Sequence, residues 1–109
     1  MTEMKNYNNS TIEVCFAPGL DINSLAVACT VKIETKEQGQ HIRVEYDFGG
    51  STTAYEGAKD AGGVFRLDGV QGEKGQATLC RLNDSVLVGD WITQEPAGMR
   101  GLWKINLDE

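Results

Sequence analysis

Short apolar stretches separated by turns rich in Gly and Asn fill the chain from residue 40 onward. They recur at intervals of about a dozen residues, which is typical of an all-β domain. The turn segments lie at 36–39, 48–51, 59–63, 69–75, 83–85 and 95–101. None of them is long enough to hold the helix that joins parallel strands. The pattern therefore predicts antiparallel strands joined by hairpins, and it excludes most enzymes built on parallel sheets.

The clearest predicted strand carries Ile42, Val44 and Tyr46 on one face, with charged or polar residues between them. Such alternation places one face of a strand in a core and the other in solvent or against a polar cavity. The predicted strands lie at 11–17, 25–35, 41–48, 52–58, 63–68, 75–82, 86–94 and 101–107. Residues 1–10 are rich in Asn and predict a frayed tail. The spacing of Ile22 and Leu25 behind Asp21 predicts one turn of helix over 20–24.

Eight strands in hairpin succession predict an all-β, antiparallel, up-and-down meander that forms one domain over residues 11–109. Closing the first strand against the last removes the exposed edges that invite aggregation, so we expect a closed or nearly closed barrel. A chain of 109 residues has the commonest size of a single domain. The alternative is an open, strongly bent sheet or a sandwich that dimerises through an edge.

The charge of the chain limits its partners. A net charge of −6 and a pI near 4.7 argue against nucleic acid and anionic membranes, because both attract clustered Lys and Arg. The 10 basic residues are dispersed. The start of the chain is polar, unlike a secretory signal, and the longest apolar run, 25–29, is too short to cross a bilayer. These features predict a cytoplasmic protein with neither nucleic acid nor membrane as partner.

The sequence lacks the residue patterns that usually bind metals or cofactors or form a catalytic nucleophile. His41 is the only histidine, and Cys15, Cys29 and Cys80 form no Cys-x-x-Cys pair, so neither a zinc site nor a disulfide scaffold is predicted. The three thiols are expected to be unpaired and buried. The segment 57–63 has the glycine spacing of a phosphate-binding loop, but Gly63 stands where that loop needs Lys. We therefore expect no metal, no cofactor and no catalysis through His41.

The last two predicted strands carry a repeated Gly-x-Trp pattern, with Gly89 and Trp91 in one and Gly101, Trp103 and Ile105 in the other. This stretch resembles the closing hairpin of small lipocalin-like (calycin) barrels. The resemblance implies a barrel whose mouth or lumen accepts a small, largely apolar molecule. Each glycine lies two residues before a Trp on the same face and would leave room for a ligand. Barrels of eight short strands suit a ring system or a short acyl chain better than a long fatty acid.

The candidate ligand-binding residues combine large aromatic rings with two arginines: Tyr46, Arg66, Arg81, Trp91 and Trp103. Trp103, Ile105 and Leu107 share one face of the last strand, which is assigned inward because the intervening residues are mostly polar. The inward face of the strands carrying Arg66 and Arg81 is undetermined. An inward Arg would need a ligand carboxylate or an inward Asp as its partner, whereas an outward Arg would form ordinary cross-strand ion pairs.

These residues predict a protein that binds a small apolar or amphipathic molecule without chemistry. One alternative is an enzyme of isomerase or hydrolase type that uses inward Glu45, Asp68 or Asp90 as a general base. Another is a module that binds other proteins while its core is filled with side chains. A homodimer is compatible with each of these. An open lumen with converging charges would favour binding or catalysis, and a packed interior would leave only the outer surface.

Overall fold

The computed structural model describes residues 3–16, 23–48, 50–72, 74–95 and 100–109, and the regular structure of these residues is entirely β. Eight strands follow one another along the chain: β1 Glu3–Phe16, β2 Asn23–Lys36, β3 Gly39–Phe48, β4 Ser51–Lys59, β5 Val64–Gln71, β6 Lys74–Asn83, β7 Val86–Glu95 and β8 Arg100–Asn106. A helix long and apolar enough to cross a membrane does not occur in the described ranges.

Each strand pairs antiparallel with the next, and β8 pairs antiparallel with β1, so the sheet closes into a barrel. The closing pairs run from Thr11 with Asn106 to Phe16 with Gly101. The predicted eight-stranded meander and its closure are thus confirmed, and the open sheet and the edge-paired sandwich are excluded. This architecture is consistent with the fold that the calycin resemblance implies.

The first hairpin differs from the predicted pattern. β1 begins at Glu3 rather than at residue 11, and its first residues pair with β2, from Glu3 opposite Thr35 to Tyr7 opposite Val31. Tyr7 is the only buried side chain between residues 3 and 9, so this part of β1 lacks the apolar alternation that identifies a strand. The predicted helical turn at 20–24 falls partly on 20–22, outside the described residues. Its last two positions belong to β2.

A bulge in β1 anchors the last residues of the chain. The register of β1 against β2 shifts between Tyr7 and Ser10. The Ser10 hydroxyl donates to the Tyr7 carbonyl at 3.1 Å and accepts from the Asp108 amide at 3.0 Å. The Asn9 amide donates to the Asp108 carbonyl at 3.0 Å. The seam between β8 and β1 therefore continues past the end of β8.

Inward side chains fill the barrel with the two-residue alternation of strands. The largest fully buried ones include Trp103, Tyr55, Phe65, Ile12, Ile42, Leu67, Leu79, Leu87 and Ile105. The inward assignment of Trp103 and Ile105 is thus confirmed, and Leu107 packs partly buried against the same core. Among the described residues, the buried polar side chains are Ser10, Thr53 and Thr93, and none of the buried side chains is charged.

Glycines allow neighbouring strands to approach closely where the sheet curls. A Cβ at Gly57 would overlap the carbonyl oxygen of Arg66, and a Cβ at Gly89 would overlap that of Thr78. Only a residue without a side chain lets β4 approach β5, and β7 approach β6, at these points. Such positions bend a sheet enough for a small barrel to close around a filled core.

Candidate functional site

Four aromatic side chains from four strands meet inside the barrel, and we call them the aromatic cluster. The ring centroid of Trp103 on β8 lies 5.0 Å from that of Tyr55 on β4, 6.3 Å from that of Tyr46 on β3 and 6.4 Å from that of Trp91 on β7. Both tyrosines meet Trp103 edge-on, with planes at 89° and 90°. This is an arrangement that aromatic pairs prefer, because a ring edge is positive and a ring face negative.

The aromatic cluster lies toward the end of the barrel where β3 leads into β4 and β7 leads into β8, which we call the Tyr46 end. Tyr46 lies close to the last residue of β3, and Trp91 pairs with Gly101, the second residue of β8. Trp91, Trp103 and Tyr55 are at most 4% exposed, whereas Tyr46 is half-buried. Within the cluster, Tyr46 is therefore the side chain most exposed to solvent.

The indole N–H of Trp103 is buried and has no hydrogen-bond acceptor among the described residues. A buried donor left without a partner costs about 1–3 kcal/mol. Because nearly all buried polar groups in proteins are paired, such a donor requires an explanation. A hydrogen-bond acceptor beside this atom would remove that cost.

The glycines beside the tryptophans do not leave the room predicted for a ligand. The backbone of β6 at Thr78 occupies the space that a Cβ at Gly89 would fill. A Cβ at Gly101 would overlap the carbonyl oxygen of Cys15 and lie 3.3 Å from the Nε1 atom of Trp91. These glycines accommodate neighbouring backbone and a ring of the aromatic cluster. The prediction of free space at Gly89 and Gly101 is therefore wrong.

Arg66 lies on the outer surface of the barrel, between buried Phe65 and Leu67. Arg81 pairs with buried Leu87 and so lies on the inward face of β6, but it is exposed at the end of the barrel opposite the Tyr46 end. The Nε atom of Arg66 lies 2.9 Å from a carboxylate oxygen of Asp60, in the turn between β4 and β5. The Nη2 group of Arg81 donates to the Asp84 carbonyl at 3.0 Å and to the Tyr7 hydroxyl at 3.4 Å. Both guanidinium groups have partners within the protein, and neither belongs to the aromatic cluster. Of the candidate residues, the structure brings together Tyr46, Trp91 and Trp103.

Tyr55 joins the aromatic cluster without having been a candidate. A bulge lies between Ala54 and Tyr55 in the pairing of β4 with β5, and Thr53, Ala54 and Tyr55 are all buried. Three consecutive buried residues break the two-residue alternation, so the spacing along the chain does not reveal the direction of Tyr55. Its aromatic side chain was the only signal available in the sequence.

The three carboxylates that the enzyme alternative requires do not converge in the interior. Glu45 is half-exposed and lies 3.5 Å from Arg43, and Asp68 and Asp90 are exposed on the outer surface. Asp90 accepts a hydrogen bond from the Thr78 hydroxyl. In the described part of the chain, no three His, Cys, Asp or Glu side chains form a group suited to a metal ion. None of the three carboxylates faces the interior as a general base would have to.

The three cysteines are unpaired and differ in exposure. Cys29 is buried, and burial raises the pKa of its thiol to about 12. Cys15 is half-buried, and Cys80 is exposed on the outer face of β6. The prediction of unpaired thiols is confirmed, and the prediction of burial is wrong for Cys80.

The outer face of β6, β7, β8 and β1 carries an apolar groove of about 460 Å³. Each strand contributes one outward apolar side chain to it, and we call these four residues the outer stripe: Cys80, Val88, Leu102 and Cys15. Leu102 is 62% exposed. The sequence pattern does not reveal this surface, because apolar residues occupy both faces of β7 and only the inward set is expected from a core.

Comparisons of the chain with protein-family models, with curated proteins and with solved structures find no match. The functional interpretation therefore depends on the closed barrel, which is compatible with ligand binding, on the aromatic cluster and on the outer stripe.

Proposed function

We propose that the protein binds one small, uncharged, planar and largely apolar molecule at the Tyr46 end of the barrel. An eight-stranded barrel holds either its own side chains or one small ligand. Here side chains fill it, so the ligand would have to displace the half-buried Tyr46 ring to reach Trp103. The aromatic cluster supports a ring-shaped ligand, because rings pack edge-to-face or offset against other rings. The ligand would approach beside Tyr46, the half-buried member of the cluster.

The observation that carries this proposal is the buried N–H of Trp103, which lacks an acceptor among the described residues. A ligand carbonyl or ring nitrogen that accepted this hydrogen bond would remove the free-energy cost of the unpaired donor. Apolar ligand sites typically use a few such polar groups to fix the orientation of the ligand. Trp103 would therefore orient the molecule, and the other rings of the cluster would supply apolar contact.

The proposed ligand is uncharged because the described part of the barrel interior offers no charged side chain to pair with it. None of the buried side chains in the described ranges is charged. Arg66, one of the two residues expected to hold an acidic group, lies outside, and Arg81 lies exposed at the opposite end of the barrel from the aromatic cluster. A ligand carboxylate next to Trp103 would be a buried charge without a partner, which is strongly unfavourable. A neutral acceptor is the better match.

The proposal can be tested with coumarin, a flat neutral ring system with a carbonyl acceptor, and with naphthalene, a flat ring system without one. The protein has two tryptophans, so the NMR spectrum of the ¹⁵N-labelled protein contains two indole N–H resonances. We expect coumarin to shift the Trp103 indole proton downfield in a saturable manner. Naphthalene should bind more weakly and produce little downfield shift, because it cannot accept the hydrogen bond.

Trp103→Phe keeps a ring and removes the donor, so it should weaken coumarin binding by about tenfold and make the two compounds bind alike. Leu102→Ala, on the outer face next to Trp103, is the matched control and should leave binding unchanged. The proposal is wrong if coumarin, at its solubility limit, does not move the Trp103 resonance. It is equally wrong if folded Trp103→Phe binds coumarin as tightly as the wild-type protein does.

A further inference from the structure

We propose that the outer stripe is a self-association surface and that its partner is a second copy of this chain. This proposal does not depend on the ligand proposed above. The four residues of the outer stripe lie on the outer face of the barrel: Cys80, Val88, Leu102 and Cys15. Leu102 is 62% exposed, and Ile92, further along β7, is 42% exposed. Exposed apolar residues that form a contiguous groove, unlike scattered ones, indicate an interaction surface.

The strand register places charged residues at fixed positions beside the stripe. Val88 on β7 lies opposite Lys104 on β8, and the next outward pair along the same strands is Asp90 opposite Leu102. These four side chains form a square in which one diagonal is apolar, Val88 and Leu102, and the other carries opposite charges. Asp90 and Lys104 both line the groove.

This square is complementary to itself. If a two-fold axis lies between two copies along the diagonal from Val88 to Leu102, each of these apolar residues faces its own counterpart. The same axis places Asp90 of one copy against Lys104 of the other, and it does so twice. An axis along the other diagonal would place Asp90 against Asp90 and Lys104 against Lys104. The charges therefore favour one orientation and oppose the other.

The side chains of Asp90 and Lys104 are exposed enough to form these contacts with a second copy. The Lys104 ammonium lies 4.0 Å from Glu13, at the limit of an ion pair, and its side chain is 55% exposed. Asp90 bonds the Thr78 hydroxyl and lies on the exposed surface. Each copy also carries a net charge of −6, which opposes association. Apolar contact along the outer stripe must therefore drive association, while Asp90 and Lys104 set the orientation.

Sedimentation equilibrium in reducing buffer, over a wide range of protein concentration, measures the association. We expect the wild-type protein to be a reversible dimer. Leu102→Glu should weaken dimerisation by at least about tenfold, because the substitution enters a symmetric interface twice. Val70→Glu is the matched control, since Val70 is 49% exposed on β5 outside the groove, and it should leave the dimer unchanged. Both positions are on the surface, so circular dichroism should show intact folds.

Reversing the charges at positions 90 and 104 distinguishes the proposed two-fold dimer from non-specific association. Asp90→Lys alone brings Lys against Lys104 of the other copy, and Lys104→Glu alone brings Glu against Asp90, so each variant should dimerise more weakly than the wild type. An equimolar mixture of the two variants should form a heterodimer, because both contacts then pair opposite charges. The double variant with both substitutions in one chain should recover the homodimer.

A protein that remains monomeric at all accessible concentrations overturns the proposal. So does a dimer that Leu102→Glu leaves unchanged, since its interface would then lie elsewhere. A dimer that is sensitive to Leu102→Glu, but whose two charge variants pair no better with each other than with themselves, contradicts the two-fold arrangement.

Discussion

Tyr55 meets Trp103 edge-on inside the barrel, with ring centroids 5.0 Å apart and planes at 89°. Tyr55 lies on β4 and Trp103 on β8, so this contact crosses the interior between strands that are not neighbours in the sheet. Both side chains are almost fully buried. The pair therefore links opposite walls of the barrel, and the stability of the fold should depend strongly on it.

Replacing Trp103 by Ala should lower the free energy of unfolding by about 3–5 kcal/mol, because the substitution removes a large buried ring and leaves a cavity. That loss is a large share of the roughly 5–15 kcal/mol that a domain typically has. Urea unfolding measures it. Val70→Thr, at an exposed position outside the groove, should change stability by about 0.5 kcal/mol or less. Equal midpoints for Trp103→Ala and wild type would mean that the ring is not part of the core.

Gly89→Ala tests the close approach of β7 to β6. The added methyl group would overlap the carbonyl oxygen of Thr78, so the strands must move apart. We expect a loss of about 1–3 kcal/mol, as for other overpacked sites. Gly62→Ala is the control, because there the new Cβ would lie 3.3 Å from the tip of the Asp60 side chain and would not overlap the backbone. A variant at Gly89 as stable as the one at Gly62 would contradict the role assigned to that glycine.

The buried thiol of Cys29 should make stability fall at high pH. Its pKa is raised from 9.0 to about 12 by burial, so the folded protein holds this proton more tightly than the unfolded chain. The resulting stability is fully present below pH 9.0 and is lost as the pH rises through about 12. The slope contributed by one such group is at most about 1.4 kcal/mol per pH unit.

Unfolding midpoints of wild type and Cys29→Ala across this pH range measure the effect. The alanine variant is expected to be less stable at neutral pH because of the lost packing, but its stability should fall less steeply above pH 9.0. Other groups that titrate in the same range contribute equally to both proteins, so the difference between the two slopes isolates Cys29. Parallel slopes would contradict the assignment.

The turn between β4 and β5 should lose stability in acid. The Asp60 carboxylate accepts hydrogen bonds from the Val64 amide at 3.1 Å and the Gly62 amide at 2.8 Å, and it pairs with Arg66 at 2.9 Å. The bond from the Val64 amide, followed by that from Arg66, lowers the pKa of Asp60 below 3.8. The contribution of Asp60 is therefore present above pH 3.8 and lost as the pH falls through the lower folded pKa.

Asp60→Asn should unfold at a lower urea concentration than the wild type at neutral pH. The difference should shrink at a second pH below 3.8, because the unfolded chain there takes up a proton that the folded carboxylate still resists. Measuring both proteins at the two pH values provides the comparison. A difference that stays constant would show that the charge of Asp60 does not stabilise the turn.

The hairpins of this barrel can be predicted from the sequence because local residues determine them. Gly39, Gly50, Gly63 and Gly72 have positive φ angles, and all four lie in the turn segments expected from composition. In β3 the buried Ile42 and Val44 alternate with polar, half-buried residues, so both the existence of the strand and its inward face follow from spacing alone. Closure follows indirectly, from the need to remove exposed edges.

Features that depend on contacts between distant strands could not be predicted. The first part of β1 is a strand because it pairs with β2, although Tyr7 is its only buried side chain before Ser10. Arg81 lies on a strand with apolar residues on both faces, so its direction was undetermined until the pairing was known. The aromatic cluster results from the relative register of four strands, and a single sequence contains no direct signal for it.

The order of the strands around the barrel also has a kinetic consequence. Every pairing except that of β1 with β8 joins consecutive strands, and the exception joins positions as distant as Thr11 and Asn106. Loop-closure entropy disfavours such distant contacts, whereas hairpins form between near neighbours. The β1–β8 seam should therefore form late in folding and limit its rate. A change confined to that seam would alter folding time without altering any hairpin.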